Sequence, residues 1–322
     1  MRSKRKPPSR SVPADLSRLK RYDVSRRRSL VRKDQFATAP ARRDTIARFL
    51  DKLPRILKSA DWTQLLDHIA EAKRRGKPVF WLLGAHVIKC GLSPVILDLM
   101  RYGLVDLIAL NGAGAIHDLE IAFIGQTSED VAAGLKTGQF GMARDTARWF
   151  AGGVDRAKQN QLGLGEGLGR FIRAEKPRWR RFSLLAAAAE WDIPALVFPA
   201  IGAEIVAQHP EFDGAAVGEA GHIDFRLLAT ECRKLHRGGV VLQFGSAVIL
   251  PEVFLKALSV ARNQRRVEGI VTANFDMIQH YRPLTNLVSR PTSGSGHGYS
   301  FTGHHELMLP FLAWSLKSRL KL

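Results

Sequence analysis

The chain reads as an α/β protein built on a doubly wound, mostly parallel, Rossmann-like sheet. Three observations predict it. Short apolar runs alternate with segments of helical periodicity, as expected for strands joined by helical crossovers. The first two apolar runs, at 79–83 and 105–110, each end in small and polar residues. These are Gly84-Ala85-His86-Val87-Ile88-Lys89-Cys90-Gly91 and Asn111-Gly112-Ala113-Gly114-Ala115-Ile116-His117-Asp118. Finally, 322 residues with 45% hydrophobic content suffice for one large core of this kind.

Taken in order, residues 1–44 read as a disordered basic arm and 45–322 as a single domain. Residues 1–45 hold 15 Lys/Arg against four Asp, a net of +11, and the remainder of the chain carries +8 of the total +19. The arm has no sustained apolar pattern with which to offset the entropy of ordering. Its clusters, Ser3-Lys4-Arg5-Lys6 and Ser25-Arg26-Arg27-Arg28, suit weak contact with nucleic-acid phosphates, beside the plainer reading of a solvated tail. Helices are expected at 45–57 and 63–75, the second presenting Leu65, Leu66, Ile69 and Ala70 on one face and stopped by Gly76 and Pro78. After the strand at 79–83, Ser93 is the expected N-cap of a helix over 94–102 with Pro94 in its first turn. The strand at 105–110 precedes a helix at 116–124, and Ser128-Glu129-Asp130 opens another.

The pattern weakens over 138–176. There Gly163, Gly165, Gly167 and Gly169 alternate, which reads as a flexible turn opening a helix that ends at Pro177. A helix at 182–190 and a strand at 195–198 follow, then Pro199-Ala200-Ile201-Gly202. Helix 225–236, strand 240–244 ending in Gly245-Ser246-Ala247, and helix 251–264 come next. A strand at 270–272 ends in Ala273-Asn274-Phe275-Asp276. A Ser/Gly loop at 290–298 and a helix at 307–320 complete a sheet of five expected strands.

Other classes are disfavoured. No apolar stretch approaches the ~18 residues that span a bilayer, so no membrane partner is expected. The two cysteines, Cys90 and Cys232, make neither a disulfide framework nor a zinc site, and a reducing, cytoplasmic setting fits them. No metal is expected: His297, His304, His305 and Glu306 fit no standard ligand spacing.

Ligands of such sheets bind at the carboxyl ends of the strands, where small residues let the backbone approach and helix N-termini favour phosphate. The expected nucleotide-binding edge comprises Ala85, His86, Asn111, Gly112, Ala113, Gly114, Glu204, Gly245, Ser246, Thr272, Ala273 and Asp276. Four carboxylates, Asp118, Glu204, Glu252 and Asp276, stand at or just past strand ends; for Asp118 and Glu252 the plain role is capping a helix and complementing its dipole.

In order and length these loops resemble those of the deoxyhypusine synthase family. Gly84 to Gly91 resembles its first loop, keeping Ile88 and Gly91. Asn111 to Asp118 resembles the second, keeping Gly114 and Asp118. Phe244-Gly245-Ser246-Ala247-Val248 is similar to the third and Thr272-Ala273-Asn274-Phe275-Asp276 to the fourth. The resemblance covers roughly 45–318. It implies a sirtuin-like NAD-binding variant of the Rossmann fold, a homotetramer with active sites shared between subunits, and NAD-dependent aminobutyl transfer from a polyamine such as spermidine. Departures alter the implied site. The family's imine-forming lysine lies in a Ser-Trp-Gly-Lys element, and the corresponding stretch here, Thr292-Ser293-Gly294-Ser295-Gly296-His297-Gly298, has no lysine. The family's Glu-Glu-Asp, which holds the polyamine, becomes Ile116-His117-Asp118, and its paired histidine becomes Pro251-Glu252, so the resemblance implies Asp118, Glu204, Glu252 and Asp276 as the carboxylates that would hold a cationic amine.

The expected catalytic set is therefore Lys89, His117, Asp118 and Glu252. Lys89 is a candidate replacement nucleophile or phosphate contact, with a solvated helix-entry lysine as the simpler alternative. His86 and His117, in adjacent loops, are candidate acid/base partners. Lys256, four residues after Glu252, fits an i,i+4 pair. A second functional class stays open, a non-catalytic NAD-binding protein associated with nucleic acid through the arm.

Overall fold

The structure, a computed structural model, describes residues 11–322. The Ser3-Lys4-Arg5-Lys6 cluster lies outside the described residues. Residues 11–44 contribute only three single-turn 3-10 helices and mostly exposed side chains. Their last part is tied to the fold, with Arg55 N donating to Gln35 O at 2.9 Å and Lys52 Nζ pairing with Asp44 at 2.7 Å.

The elements that follow are α1 (Ile46–Lys52), α2 (Leu57–Arg74), β1 (Val79–Leu83), α3 (Ala85–Lys89), α4 (Ser93–Arg101), β2 (Leu107–Asn111), α5 (Gly112–Ile124) and α6 (Val131–Thr137). Then come α7 (Arg144–Asn160), α8 (Leu164–Glu175), α9 (Leu184–Glu190), β3 (Ala195–Phe198) and α10 (Gly214–Glu231). The last are β4 (Val240–Phe244), α11 (Ile249–Gln264), β5 (Val271–Asp276), β6 (His297–Thr302) and α12 (His305–Leu320). The α/β expectation is met: the six strands form one sheet in the order β3-β2-β1-β4-β5-β6, and every pairing is parallel.

All five residues of β1 are buried, because helices cover both faces of the sheet. Trp81, Leu83, Leu242, Phe244 and Phe275 face a layer containing α2, α5 and α12. Phe80, Leu82, Leu107, Val241 and Phe198 face α10 and α11. The chain winds outward from β1 to β3, returns to place β4 beside β1, and winds outward again. That reversal puts the topological switch point between β1 and β4, where ligands of such sheets bind.

Four expectations are corrected. A sixth strand, β6, occupies part of the expected Ser/Gly loop; it is an edge strand with a mixed burial pattern, so its sequence lacks the continuous apolar run of β1. Strand β5 runs four residues beyond the expected end at Thr272. Ser93 is the first helical residue of α4 rather than its cap. Of the alternating glycines, Gly163 is the N-cap of α8 and Gly165, Gly167 and Gly169 lie inside it and serve close packing: a Cβ on Gly165 would fall 2.2 Å from Ala195 O of β3.

Candidate functional site

At the switch point two backbones touch. Gly84 N donates to Phe244 O at 2.8 Å and Gly245 N to Phe275 O at 3.1 Å. A Cβ on Gly84 would fall 1.9 Å from Gly245 O, so only glycine permits this approach. Gly245 adopts φ +63°, in the left-handed region, and a Cβ there would meet His305 Nε2 at 2.6 Å. His305 is fully buried, and neither ring nitrogen has a hydrogen-bond partner. Its Nε2 lies 4.0 Å from Asp276 Oδ1 at the end of β5, and its ring centroid 5.8 Å from that of His86. Burial pulls the His305 pKa down, with Asp276 opposing. His86, Gly245 and Asp276 thus meet around His305, a residue sequence reasoning did not assign to this edge. The missed strand β6 hid it, since His305 follows the end of that strand.

Beside this crevice lies a second feature, a cleft of about 190 Å³ lined by residues of α3, α5, α6 and the segment after β3. Lys89, Ala113, His117 and Glu204 line it, so four of the expected residues come together. Helical spacing explains the α5 contribution, because residues 113, 117 and 120 share one face. Glu120, Glu129 and Phe140 are also part of its wall. Glu120 was not anticipated, although its i+3 spacing from His117 is a readable signal.

Glu120 is the hub of a hydrogen-bond relay. Thr127 Oγ1 donates to Glu120 Oε2 at 2.5 Å, and Thr146 Oγ1 to Oε1 at 2.9 Å. With the Thr127 proton committed to the carboxylate, the 2.6 Å contact between His117 Nδ1 and Thr127 Oγ1 needs a proton on Nδ1. The neutral His117 ring then keeps Nε2 as its free acceptor. Burial pushes the Glu120 pKa upward, but hydrogen bonds from His117, Thr127 and Thr146 outweigh it and the net shift is downward.

Asn111 caps α5 by accepting from Gly114 N at 2.9 Å. A Cβ on Gly112 would collide with the Glu204 carboxylate, at 2.2 Å from Oε1, so Glu204 packs over the start of α5. Glu204 also accepts from Ala200 N, and burial raises its pKa. A carboxylate already lies at this helix N-terminus.

Four expected residues stand elsewhere. Asp118 is fully buried and accepts from Ser183 Oγ (2.5 Å), Leu184 N (2.7 Å) and Leu185 N (3.1 Å). It fastens the start of α9 instead of facing the cleft, because it lies one residue round the helix from His117. Glu252 is engaged with Lys256, with Arg282 at 3.3 Å and with Asn286 at 2.7 Å; the Lys256 hydrogen bond leads the downward shift of its pKa. A carboxylate so paired is not open to an amine. Thr272 and Ala273 lie inside β5, buried and paired with β4 and β6. The longer strand carries the binding edge on to Asp276.

No protein-family model matches the sequence, and no curated protein sequence matches it. Solved structures do share the fold. AgrE, in a ternary complex with ornithine and NAD+, superposes with a TM-score of 0.51 at 14% identity, over 80% of this chain and 33% of AgrE. The chain thus spans about a third of AgrE's length. A protein assigned to the LOR/SDH group from Methanococcus maripaludis S2 gives 0.49 at 16% identity, over 83% of this chain and 71% of that one. A protein assigned as a deoxyhypusine synthase from Entamoeba histolytica gives 0.49 at 10% identity, over 85% and 93%. The AgrE likeness shows the fold alone.

Proposed function

We propose that the chain is an NAD-dependent enzyme acting on an amine, of the aminoalkyl-transferase or polyamine-modifying type. The observation that carries this reading is the cleft lined by Glu120, Glu129 and Glu204, three carboxylates gathered in a chain of net charge +19. Such a cleft selects a cation, and it lies beside the glycine-walled crevice at the switch point. The crevice residues fit a dinucleotide. Gly84 and Gly245 bring the ends of β1 and β4 into contact, Ala85 and Ser246 follow them, and the unpartnered nitrogens of buried His305 beside Gly245 offer polar contacts. When bound, NAD would supply the hydride acceptor.

The protein's own groups divide the remaining chemistry. Glu129 and Glu204 hold the substrate as its ammonium form, while Glu120 stays with Thr127 and Thr146. His117 Nε2 takes a proton from the reacting nitrogen, and the Glu120–Thr127 relay steadies the resulting imidazolium. Lys89 is exposed and has no ion-pair or hydrogen-bond partner among the described residues. In its neutral form the Lys89 amine adds to the oxidised carbon. The added Lys89 nitrogen gives one proton to solvent, the proton held on His117 passes to the departing amine, and the C–N bond to that amine breaks, leaving the carbon bound to Lys89 as an imine. A homotetramer is part of the proposal, drawn from the family resemblance.

The test is reduced-nicotinamide absorbance on mixing purified protein, NAD and spermidine or another polyamine, followed by borohydride trapping. Wild type should form reduced nicotinamide and retain a covalent label, and Lys89→Ala should lose the label with its melting temperature unchanged. Label persisting in Lys89→Ala would assign the nucleophile elsewhere. NAD binding without hydride transfer to any amine would favour a non-catalytic NAD-binding protein.

A further inference from the structure

The opposite end of the sheet carries a charged feature that the proposed reaction does not use. The C-terminal ends of α4 and α9 lead into the N-terminal ends of β2 and β3, and the α8–α9 connection lies beside them. A groove of about 580 Å³ there is lined by Arg101, Arg173, Lys176, Arg178, Arg180 and Arg181, with Glu190 as its one acidic residue. Five of these cations come from the run Arg173-Ala174-Glu175-Lys176-Pro177-Arg178-Trp179-Arg180-Arg181. The fold adds Arg101 from α4.

None of the six cations forms an ion pair among the described residues, although many of the chain's other basic residues do. Arg173 donates to a backbone carbonyl, Ala189 O, at 2.9 Å. Aromatic rings hold the guanidinium groups. Arg178 and Arg181 lie 4.8 and 5.8 Å from the Trp179 ring, Arg181 lies 4.9 Å from Phe182, and Arg101 lies 5.6 Å from Trp191. Stacking fixes a guanidinium plane but leaves its edge N–H donors free, the arrangement that suits phosphate oxygens. The Trp179 backbone is anchored to α5 by its N–H to Ala122 O at 3.0 Å, so the array rides on a structured turn.

We propose that this groove binds the phosphate backbone of single-stranded nucleic acid. Several unpaired cations along one groove match a repeating anion better than a single phosphate, and interleaved Trp and Phe rings are the usual companions of such a backbone track. The site is separate from the N-terminal arm and from the amine cleft.

The test is fluorescence anisotropy of the full chain with labelled 20-nucleotide oligo-dT and oligo-U across 50–200 mM salt. The variants are Arg178→Ala/Arg180→Ala/Arg181→Ala and, for the arm, Arg26→Ala/Arg27→Ala/Arg28→Ala. All six substituted residues are exposed, so folding should be retained, and a melting curve checks it. The groove variant should weaken binding at least tenfold at 100 mM salt. It should also flatten the slope of log K against log salt by about 2, from ~0.7 per lost phosphate contact. A preference for oligo-U over oligo-dT would mark RNA, and the reverse DNA. Groove-variant binding equal to wild type, with binding lost in the arm variant, would overturn the proposal. So would absence of oligonucleotide binding at 50 mM salt, including the case in which anionic phosphatidylglycerol vesicles or pyrophosphate bind instead.

Discussion

Replacing Asp118 with asparagine separates a residue that holds the fold from one that does chemistry. Asp118 is fully buried with three donors aimed at its oxygens, two of them backbone N–H groups at the start of α9. Burial raises its pKa from an ordinary 3.8 to about 6, with Ser183, Leu184 and Leu185 opposing. The carboxylate is therefore mostly ionised at pH 7.5, and asparagine removes that charge and turns an NH₂ toward one of the donors. Hydrogen bonds to charged groups contribute about 1.5–3 kcal/mol each, so the net loss should be about 3 kcal/mol. At ~2–4 °C per kcal/mol for a domain of this size, melting should fall by roughly 6–12 °C at pH 7.5.

The pH dependence gives an independent check. A carboxyl whose folded pKa lies above its unfolded value binds more protons when folded, so its contribution to stability grows as pH falls through the folded pKa. Between pH 7.5 and pH 5 Asp118 should add about 1.4 kcal/mol, approaching about 3 kcal/mol below the unfolded pKa. Asp224 is also buried and raised to about 7, so it acts in the same direction in both proteins and cancels in the comparison. The assay is thermal melting of wild type and Asp118→Asn at the two pH values, with turnover measured beside it. The deficit of the variant should widen at pH 5. Asp118→Asn melting within about 2 °C of wild type at pH 7.5 but without turnover would refute this reasoning and return Asp118 to the catalytic set.

Gly84→Ala should destabilise by about 2 kcal/mol or more and abolish NAD binding by calorimetry, because its methyl meets Gly245 O; Gly218→Ala, in open space on α10, should stabilise by about 0.5–1 kcal/mol. Glu120→Gln should lower kcat roughly 10–100-fold and alter the acid limb of the pH–rate profile, because it breaks the His117 relay, whereas Glu129→Gln should act mainly on KM for the amine. A chain beginning at Gln35 should melt as the full chain does. One beginning at Thr45 should still melt cooperatively but a few degrees lower, having lost the Asp44–Lys52 pair and the strap along α1.

What the sequence determined by itself was local. Strands β1, β2 and β4 were legible because both faces of the central sheet are covered and the runs are apolar throughout, with glycine, asparagine or proline marking their ends. The α/β class, the crossover pattern and the strand-end location of the glycines followed from that alternation. Lys89 and His117 were legible as loop or helix-entry residues with reactive side chains, and the structure lines one cleft with both. Tertiary structure decided what depends on contacts between distant segments. Only the strand order puts Gly84 against Gly245 and seats His305 over them, across more than 200 residues of chain. Edge strand β6 gains its pairing from β5 alone, so its sequence could mix exposed polar and buried aromatic residues and read as a loop. Asp118 and His117 are neighbours in sequence, and the pitch of α5 sends one into the core and the other into the cleft. Glu252 could not be read as ion-paired, since Arg282 and Asn286 reach it from the far side of β5. Side-chain chemistry is local, but burial and pairing, which decide whether a carboxylate caps, pairs or binds, belong to the assembled fold.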